Sequence, residues 1–439
     1  MNAPFDVVII GAGISGLAAG RQLASAGRRV AIIEARDRVG GRIYTHHPAP
    51  NIPVELGAEF IHGLPPSLWA LIREARLATY ELEGSELTYE GGRRSARGDH
   101  QPNHAHHVLG NMMEWLARRP EGTDMTFAEY LESTPTDPDA AEAAGKYVEG
   151  FNAADKRRIG IAALAKQQRA EDAIEADRLF RVAPGYDAIP EFLASEFARS
   201  GGTLALGTPA RRIDWSRGSV EVMARCSDGS ETRIAARRAL ITVSLGVLQA
   251  GSIQFEPRPT EILAQADRLA MGAAIRVILV FDSKFWPENL SFLFAPSEMP
   301  PTWWTPMPNG APVITGWAGG PKAVTLERSA SVGGGGSALS DLCLATLAKV
   351  FDRPRSELER CLKSWHTHDW LKDPFAGGAY SYVPAGALDA PERMTHPVDD
   401  TLYFAGEHTD VTGHWGTVHA ALQSGTLAAE RLLSSPHLG

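Results

Sequence analysis

The chain has 439 residues, of which 44% are hydrophobic and 22% charged, and its formal net charge is −9. This length predicts about two to three compact units. The acidic balance disfavours nucleic acid as a partner, because nucleic-acid binding needs a basic surface. No apolar run approaches the roughly 18 residues of a membrane-spanning helix, so we also expect no membrane partner.

The cysteines and the first residues of the chain bear on its location. Cys226, Cys343 and Cys361 form no CxxC or Cys/His spacing, so the sequence predicts no metal site. Residues 1–4 lead almost directly into the first apolar run, which leaves no room for a secretory signal. These features favour a reducing compartment, and we expect a cytoplasmic protein.

A glycine-rich turn follows the first apolar run and precedes a helix-forming run that begins at Ile14 and Ser15. Gly11 lets the chain turn sharply, Gly13 lets the backbone approach a pyrophosphate, and Gly16 lets the helix pack against the sheet. The positive end of that helix then binds the pyrophosphate. The pattern predicts a Rossmann-like dinucleotide-binding unit.

A second apolar run, residues 30–33, ends on Glu34. A carboxylate about 20 residues beyond the glycines accepts hydrogen bonds from a ribose and repels a 2′-phosphate. NAD and FAD remain alternatives at this point. The basic, glycine-containing stretch that follows, EARDRVGGR, suits a long, doubly charged cofactor.

This stretch resembles the flavin-containing amine oxidase family, in which EARDRVGGR follows the glycine motif. The resemblance implies FAD as the cofactor, with contacts from Ala35, Arg36, Gly41 and Arg42. The segment ELGAEFIHG is similar to the family's stretch that passes under the isoalloxazine ring. By this resemblance, the residues along the flavin are Gly57, Ala58, Glu59 and Phe60.

His62, at the end of that segment, is implied to lie near the substrate nitrogen. There it would be a neutral or switchable hydrogen-bonding group, since a bound amine must lose its proton before hydride leaves. Further along, alternating strands around residues 203–251 resemble the second FAD block of the family. The backbone of Ala210 is implied to meet the adenine end.

Residues 108–180 show helical periodicity and are expected to cover the substrate cavity.

We interpret the glycine-rich stretch 331–337 as a flexible surface loop. A histidine cluster lies in a predicted loop without regular ligand spacing, so it predicts no metal site. Its members are His100, His104, His106 and His107.

The strand around Arg276 resembles the family strand KVxLxF, whose lysine holds a water beside flavin N5, with arginine in the lysine's place. Arginine does not lose its proton and is planar, so oxygen reactivity or substrate choice is expected to differ. Trp370 is implied to pack beside the ring. Tyr380 takes a position in the family's aromatic cage, and Ala379 stands where monoamine oxidases carry the cysteine that links to flavin. We therefore expect noncovalent FAD.

The C-terminal part carries the second strong signature of the family, FAGEHT followed by a helix-forming run. The resemblance implies that Gly406 and Glu407 meet the ribityl chain. The helix start at Thr417 and Val418 would present amides to the N1/O2 edge of the flavin. Thr417 also takes the opposite cage position, with Trp415 nearby, so the cage has one aromatic wall.

The resemblance predicts an α/β fold with a Rossmann-like FAD-binding domain, discontinuous in sequence, and an α+β substrate-binding domain. The FAD-binding parts are residues 1–78, 199–253 and 395–439, and the substrate-binding parts are residues 79–198 and 254–394.

The implied activity is oxidation of a primary or secondary amine, either a polyamine or a monoamine, by hydride transfer to flavin N5. The products are an imine, hydrolysed to an aldehyde, and hydrogen peroxide from dioxygen. An L-amino-acid oxidase is the alternative, in which Arg276 would clamp the substrate carboxylate. A second alternative is a non-catalytic flavoprotein that binds partners. The expected oligomeric state is monomer or homodimer.

Overall fold

The computed structural model describes residues 4–50, 52–96, 104–226, 229–332 and 336–435. Helices and strands mix throughout these residues, and a short 3-10 helix spans Glu407–Thr409. The helices are α1 (Ile14–Ser25), α2 (Pro66–Glu74), α3 (His104–Ala117), α4 (Phe127–Ser133), α5 (Pro138–Phe151), α6 (Ile161–Asp172), α7 (Ala188–Arg199), α8 (Leu245–Gln249), α9 (Thr260–Arg268), α10 (Pro321–Val332), α11 (Gly336–Phe351), α12 (Arg355–Cys361), α13 (Ala390–Met394) and α14 (Val418–Ser434). The strands are β1 (Phe5–Ile10), β2 (Val30–Ile33), β3 (Thr45–Ala49), β4 (Ile52–Glu55), β5 (Ile61–His62), β6 (Thr79–Glu81), β7 (Ser85–Glu90), β8 (Arg93–Ala96), β9 (Leu179–Val182), β10 (Thr203–Ala205), β11 (Ala210–Ser216), β12 (Ser219–Arg225), β13 (Glu231–Ile241), β14 (Gln254–Glu256), β15 (Ala270–Met271), β16 (Ala274–Phe281), β17 (Leu290–Phe294), β18 (Thr302–Trp304), β19 (Val313–Gly319), β20 (Leu362–His366), β21 (Ser381–Tyr382) and β22 (Leu402–Phe404).

The larger sheet is built around β1. Its order is β10-β2-β1-β13-β12-β11-β14, and β22 pairs with β13 as the eighth strand. The pairs around β1 are parallel, whereas β11, β12 and β13 form an antiparallel meander. Because side chains alternate across a strand, β1 directs Val7 and Ile9 to α1, α7 and α14, and Val8 and Ile10 to α8, α9 and α13. Both faces of this sheet are therefore covered.

The turn after β1 requires glycine for close packing. A Cβ at Gly16 would overlap the carbonyl oxygen of Gly11, and a Cβ at Gly425 on α14 would overlap that of Ser15. These contacts hold α1 and α14 against the same turn. The predicted role of Gly16 in helix packing is confirmed.

The second large sheet has seven strands in the order β20-β16-β19-β18-β17-β7-β8. Every residue of β16 is buried. One face of β16 packs with α10 and α11. The other face carries Arg276, Ile278 and Val280, which contact residues in the range 44–59. Helices α3, α4, α5 and α6 form a separate core beside it.

The strands of the larger sheet come from separated parts of the chain, so the predicted α/β fold with a discontinuous dinucleotide unit is confirmed. The division into residue segments stays a prediction. Two elements assigned by sequence to the substrate parts nevertheless pack with this unit: α7 packs on α1, and β14 joins the larger sheet beside β11. Their apolar faces find partners that local sequence does not reveal.

Two local predictions are corrected. The stretch 331–337 is not a surface loop throughout, because α10 extends to Val332 and α11 begins at Gly336, while residues 333–335 lie outside the described residues. The histidine cluster is not in a loop, since α3 begins at His104 and continues through His106 and His107. Packing of this helix on α5 and α6 overrides the weak local signal, and His100 lies outside the described residues.

We predict that Gly425→Ala destabilises the protein and weakens flavin retention, because the added methyl group must push α14 away from the turn at Ser15. Overpacking of this kind costs about 1–3 kcal/mol. The matched control is Gly110→Ala on α3, where a Cβ meets open space. Removing a helical glycine there should leave the thermal midpoint unchanged or raise it. Equal midpoints for the two variants would contradict the close contact.

Candidate functional site

A single cavity of about 2130 Å³ extends from the turn after β1 to the second sheet. Small-molecule pockets are typically about 300–1,000 Å³, so this cavity has room for a long cofactor and a substrate together. The site residues predicted from sequence all line it, except Gly16, which lies behind the turn. They are Gly11, Gly13, Ile14, Ser15, Glu34, Ala35, Arg36, Gly41, Arg42, Gly57, Ala58, Glu59, Phe60, His62, Ala210, Arg276, Trp370, Tyr380, Gly406, Glu407, Trp415, Thr417 and Val418.

The buried carboxylate of Glu34 lines this cavity. Its Oε2 accepts a hydrogen bond of 2.7 Å from the backbone of Ala12, and its Oε1 accepts one of 2.8 Å from the backbone of Arg36. Thr242 holds the glycine turn after β1, because its Oγ1 donates a hydrogen bond of 2.9 Å to the carbonyl oxygen of Ile10. The carboxylate and the glycine turn are thus held in fixed relative positions.

The start of α1 has the features of a pyrophosphate site. The Oγ of Ser15 is buried and has no hydrogen-bond partner among the described residues. A Cβ built on Gly13 would meet nothing, so the backbone there borders open space. The first amides of a helix also lack partners within the helix and attract anions. These residues therefore fit the phosphates of a dinucleotide.

Two arginines of the EARDRVGGR stretch are oriented by carboxylates from distant parts of the chain. Nη2 of Arg36 lies 2.6 Å from Oδ1 of Asp373, and Nη1 of Arg42 lies 2.8 Å from Oε1 of Glu407. Nη1 of Arg42 also donates to the carbonyl oxygen of Ala379 at 3.0 Å. Both arginines consequently reach the cavity as paired charges.

Glu407 joins the C-terminal signature to the rest of the site. Its Oε2 accepts hydrogen bonds from Oγ of Ser381 at 2.6 Å and from the backbone of Gly416 at 3.0 Å. Although burial favours the neutral acid, the charge of Arg42 and the hydrogen bonds from Ser381 and Arg42 lower the pKa of Glu407. An ionised Glu407 thereby positions Arg42 and the loop before α14. Its contact with ribityl hydroxyls stays a prediction.

The start of α14 borders the cavity. Thr417 is the N-cap, and its Oγ1 accepts from the backbone of Ala420 at 3.2 Å and donates to the carbonyl oxygen of His414 at 2.7 Å. Both hydrogen-bonding roles of this hydroxyl are occupied. The free amides at Val418 and its neighbours can stabilise negative charge, as expected from the sequence.

The opposite part of the cavity contains His62. Its ring packs edge-on against Phe60 and Phe151, with centroid distances of 6.2 and 5.9 Å. Burial lowers the pKa of His62 to about 4, while a hydrogen bond with the backbone of Ala176 opposes the shift. The imidazole is therefore neutral near pH 7 and does not repel a cationic ligand.

Tyr380 provides an aromatic wall next to this histidine. Its hydroxyl donates a hydrogen bond of 2.7 Å to the carbonyl oxygen of Phe151, and its ring packs on Gly416, where a Cβ would collide with it. Burial raises the pKa of Tyr380. Trp415 is mostly core, with its indole donating to the carbonyl oxygen of Asp410 at 2.8 Å. At the predicted cage position the structure thus has the ring of Tyr380, and Thr417 also lines the cavity.

Arg276 enters the cavity wall from β16 with its charge already compensated. Nη1 donates to the carbonyl oxygens of Glu55 and Gly57, at 2.7 Å each, and lies 3.1 Å from Oε2 of Glu59. Glu59 also pairs with Arg181 and accepts from the indole of Trp304 at 3.1 Å. These contacts fix Nη1 of the guanidinium and pair the charge of Arg276 with Glu59.

Several residues of the site had no signal in the sequence. Ser381, which orients Glu407, and Asp373, which orients Arg36, lie in the C-terminal half, more than 300 positions from the glycine motif. Of the adjacent tryptophans, Trp304 lines the cavity, whereas Trp303 is fully buried in the core. Alternation along β18 was the available indication that these two side chains differ.

The family model described as flavin containing amine oxidoreductase matches residues 14–433, and the chain belongs to this family. A probable polyamine oxidase 4 of Arabidopsis thaliana is 26% identical over 98% of this chain and 87% of its own length. Lysine-specific histone demethylase 2 of Homo sapiens is 27% identical over 97% of this chain, which spans 53% of the demethylase. The predicted family is confirmed.

Among solved structures, wild-type putrescine oxidase bound to putrescine matches with a TM-score of 0.84 at 21% identity, covering 99% of this chain and all of the other. At this identity the likeness establishes the fold. Together with the family match, it shows an oxidoreductase of the flavin-containing class. The residues around Gly13, Ser15 and Glu34 fit the phosphates and ribose of a dinucleotide.

No helix in the described part of the chain is long and apolar enough to cross a membrane. Within the same residues, no group of three or more His, Cys, Asp or Glu side chains is arranged to hold a metal ion.

We predict that the buried His408 makes the folded protein less stable as pH falls. Burial lowers its pKa to about 4 from an ordinary 6.5, with Glu407 opposing the shift and Arg42 adding to it. Between these values the unfolded chain binds a proton that the folded chain does not, so stability falls as pH falls, by up to about 1.4 kcal/mol per pH unit.

The measurement is the thermal midpoint of His408→Gln minus that of the unsubstituted protein, followed from about pH 7 to about pH 5. This difference should shift in favour of the variant as pH falls. His107→Gln, at an exposed position on α3, is the control and should give a flat difference. A flat difference for His408→Gln as well would contradict the lowered pKa of His408.

Proposed function

We propose that this protein is an FAD-dependent oxidase of primary or secondary amines. The observation that carries the proposal is one continuous cavity, with a dinucleotide site at Gly13 and Glu34 and a neutral histidine and tyrosine wall at His62 and Tyr380. A redox cofactor bound along the first part would have its reactive ring beside the second. The family membership supports this arrangement.

FAD would supply the redox chemistry, accepting hydride from the carbon next to the amine nitrogen and passing the electrons to dioxygen, which becomes hydrogen peroxide. The chain would orient the amine, exclude water and manage its proton. His62 is neutral near pH 7, so it can accept a hydrogen bond from the amine without adding a positive charge. Tyr380 presents a ring face that suits an amine. The resulting imine would be hydrolysed by water to an aldehyde.

The geometry of Arg276 favours an amine over an amino acid as substrate. A carboxylate clamp needs a guanidinium with free donors in a fork. Nη1 of Arg276, one arm of that fork, is engaged by Glu55, Gly57 and Glu59, and its charge is already paired with Glu59. The guanidinium is also flanked by Trp304 and Trp317 at 5.4 and 5.5 Å. The alternative of an L-amino-acid oxidase therefore has weaker support. Whether Arg276 lies beside flavin N5 stays a prediction.

The non-catalytic alternative also has weaker support, because a flavin with a purely structural role does not need the additional cavity volume beyond the dinucleotide site. The relatives named polyamine oxidase support a polyamine substrate, and monoamines remain the second class. We propose that the protein acts in the cytoplasm as a monomer or homodimer, without nucleic acid or membrane as partners. The free cysteines support a reducing compartment.

We predict that acid or heat releases intact FAD from the purified protein, because Ala379 offers no thiol for a covalent link. Fluorescence of the supernatant after precipitation measures this release. Flavin remaining on the precipitated chain would refute noncovalent binding.

Glu34→Ala should weaken FAD retention, since a hydrogen bond to a charged group contributes about 1.5–3 kcal/mol. Titration of the apoprotein with FAD measures this change. Glu261→Ala, exposed on α9, is the control.

We predict that amine oxidation, followed by peroxide release, becomes faster as pH rises, because the neutral amine donates the hydride. His62 should add no step to this profile near neutral pH, since its pKa is about 4. His62→Ala should lower kcat/KM by about 10-fold, the contribution of one hydrogen bond, with little loss of flavin. His107→Ala on α3 should keep the original kcat/KM. An unchanged kcat/KM in His62→Ala would remove this histidine from the substrate site.

A further inference from the structure

Lys322 is an amine in the cavity wall that the chemistry described so far does not use. It is the second residue of α10, and it lines both the main cavity and a second cavity of about 450 Å³ beside α11. Nζ of Lys322 donates a hydrogen bond of 3.0 Å to the carbonyl oxygen of Pro296, which also lines both cavities. The amine is therefore held at the boundary between the two cavities.

The turn before α10 connects Lys322 to the proposed reacting end. A Cβ on Gly319 would collide with the carbonyl oxygen of Gly150, so this turn packs closely against the end of α5. The next residue of α5, Phe151, accepts the hydrogen bond from the hydroxyl of Tyr380. A product formed beside Tyr380 can therefore reach Lys322 without leaving the main cavity.

The surroundings of Lys322 favour the neutral amine. The N-terminal end of a helix carries a partial positive charge, which disfavours a cation in the first turn of α10. Burial lowers the pKa of Lys322 and Lys146 adds to the shift, whereas Glu149 and Glu142 oppose it. A lysine that is desolvated and lies near another cation is the kind that reacts as a nucleophile with carbonyl compounds.

Lys349 lines the same second cavity and has the opposite surroundings. It lies in the last turn of α11, where the negative end of the helix favours a cation. Its Nζ pairs with the carboxylate of Glu298, and this hydrogen bond raises the pKa of Lys349. Because Glu298 also lines the second cavity, an anion is a poor ligand there. The second cavity thus contains one lysine suited to react and one matched lysine that is not.

We propose that Lys322 captures the aldehyde product as an imine, so that an aliphatic aldehyde binds covalently and reversibly to the cavity wall. The proposal rests on the proposed function, which supplies the aldehyde. The lone pair of Nζ forms a bond to the carbonyl carbon, and the carbonyl oxygen then leaves as water with the two amine protons. The step needs no oxidant or reductant, and water reverses it. While the adduct lasts, it occupies the main cavity and hinders entry of the next amine.

The test treats the holoenzyme with butanal in the presence of cyanoborohydride, which reduces an imine to a stable secondary amine. Butanal has no amine of its own and cannot cyclise. Peptide mass spectrometry then measures the alkylation rate of each lysine. We expect Lys322 to react about 10-fold or more faster than Lys349, because burial and the end of α10 both favour its neutral form. Equal rates, or a faster rate at Lys349, would overturn the capture site.

Two variants establish which nitrogen reacts. Lys322→Met should lose the fast phase of butyl incorporation, because methionine keeps an unbranched side chain and removes the amine. Lys349→Met, the matched control in the second cavity, should keep the fast phase. A fast phase that persists in Lys322→Met belongs to another nitrogen and overturns the proposal.

Turnover of butylamine separates this inference from the proposed function. Holoenzyme that oxidises butylamine in air, with cyanoborohydride and with catalase to remove peroxide, should acquire the same butyl group on Lys322. Fast labelling by added butanal without any oxidation of amines supports the aldehyde site, and the proposed oxidase activity alone then fails. Oxidation of butylamine that leaves Lys322 unlabelled overturns its role in product capture.

Discussion

The ionic contact between Glu59 and Arg276 is the interaction on which the rest of the site depends. Glu59 lies in the N-terminal segment that lines the cavity, and Arg276 lies on β16 of the second sheet. Glu59 also binds Arg181 of β9 and the indole of Trp304 on β18. A buried charge is tolerated only when it is paired and hydrogen-bonded, so these elements must keep their positions together. This contact therefore fixes the distance between the dinucleotide unit and the substrate wall.

The electrostatic character of the cavity follows from this pairing. Three of the positive charges that reach the wall, at Arg36, Arg42 and Arg276, are each paired with a carboxylate. Burial keeps the imidazole of His62 neutral near pH 7. This pairing of the arginines is the physical ground for proposing an amine rather than a ligand that brings its own carboxylate.

The sequence predicted the parts of this site that are local in the chain. The glycine turn, Glu34 and the cap at Thr417 depend on neighbouring residues, and their spacing is visible directly. The pairing of Arg36 with Asp373 depends on how distant segments meet, which no local pattern encodes. For the same reason the local sequence around His106 predicts a loop, whereas packing on α5 and α6 makes this segment a helix. Arg276 was located on its strand, but its partners became evident only in three dimensions.

The most direct test of this account is anaerobic reduction of the bound flavin by pairs of compounds that differ in one carboxylate. Ornithine is putrescine with a carboxylate on a carbon next to nitrogen, and phenylalanine is related to phenethylamine in the same way. The measurement is the loss of visible flavin absorbance in a stopped-flow instrument. We predict that the amines reduce the flavin and that their carboxylated counterparts do not. Faster reduction by ornithine or phenylalanine would contradict the account, because it would require a carboxylate clamp at Arg276, whose Nη1 is engaged and whose charge is paired with Glu59.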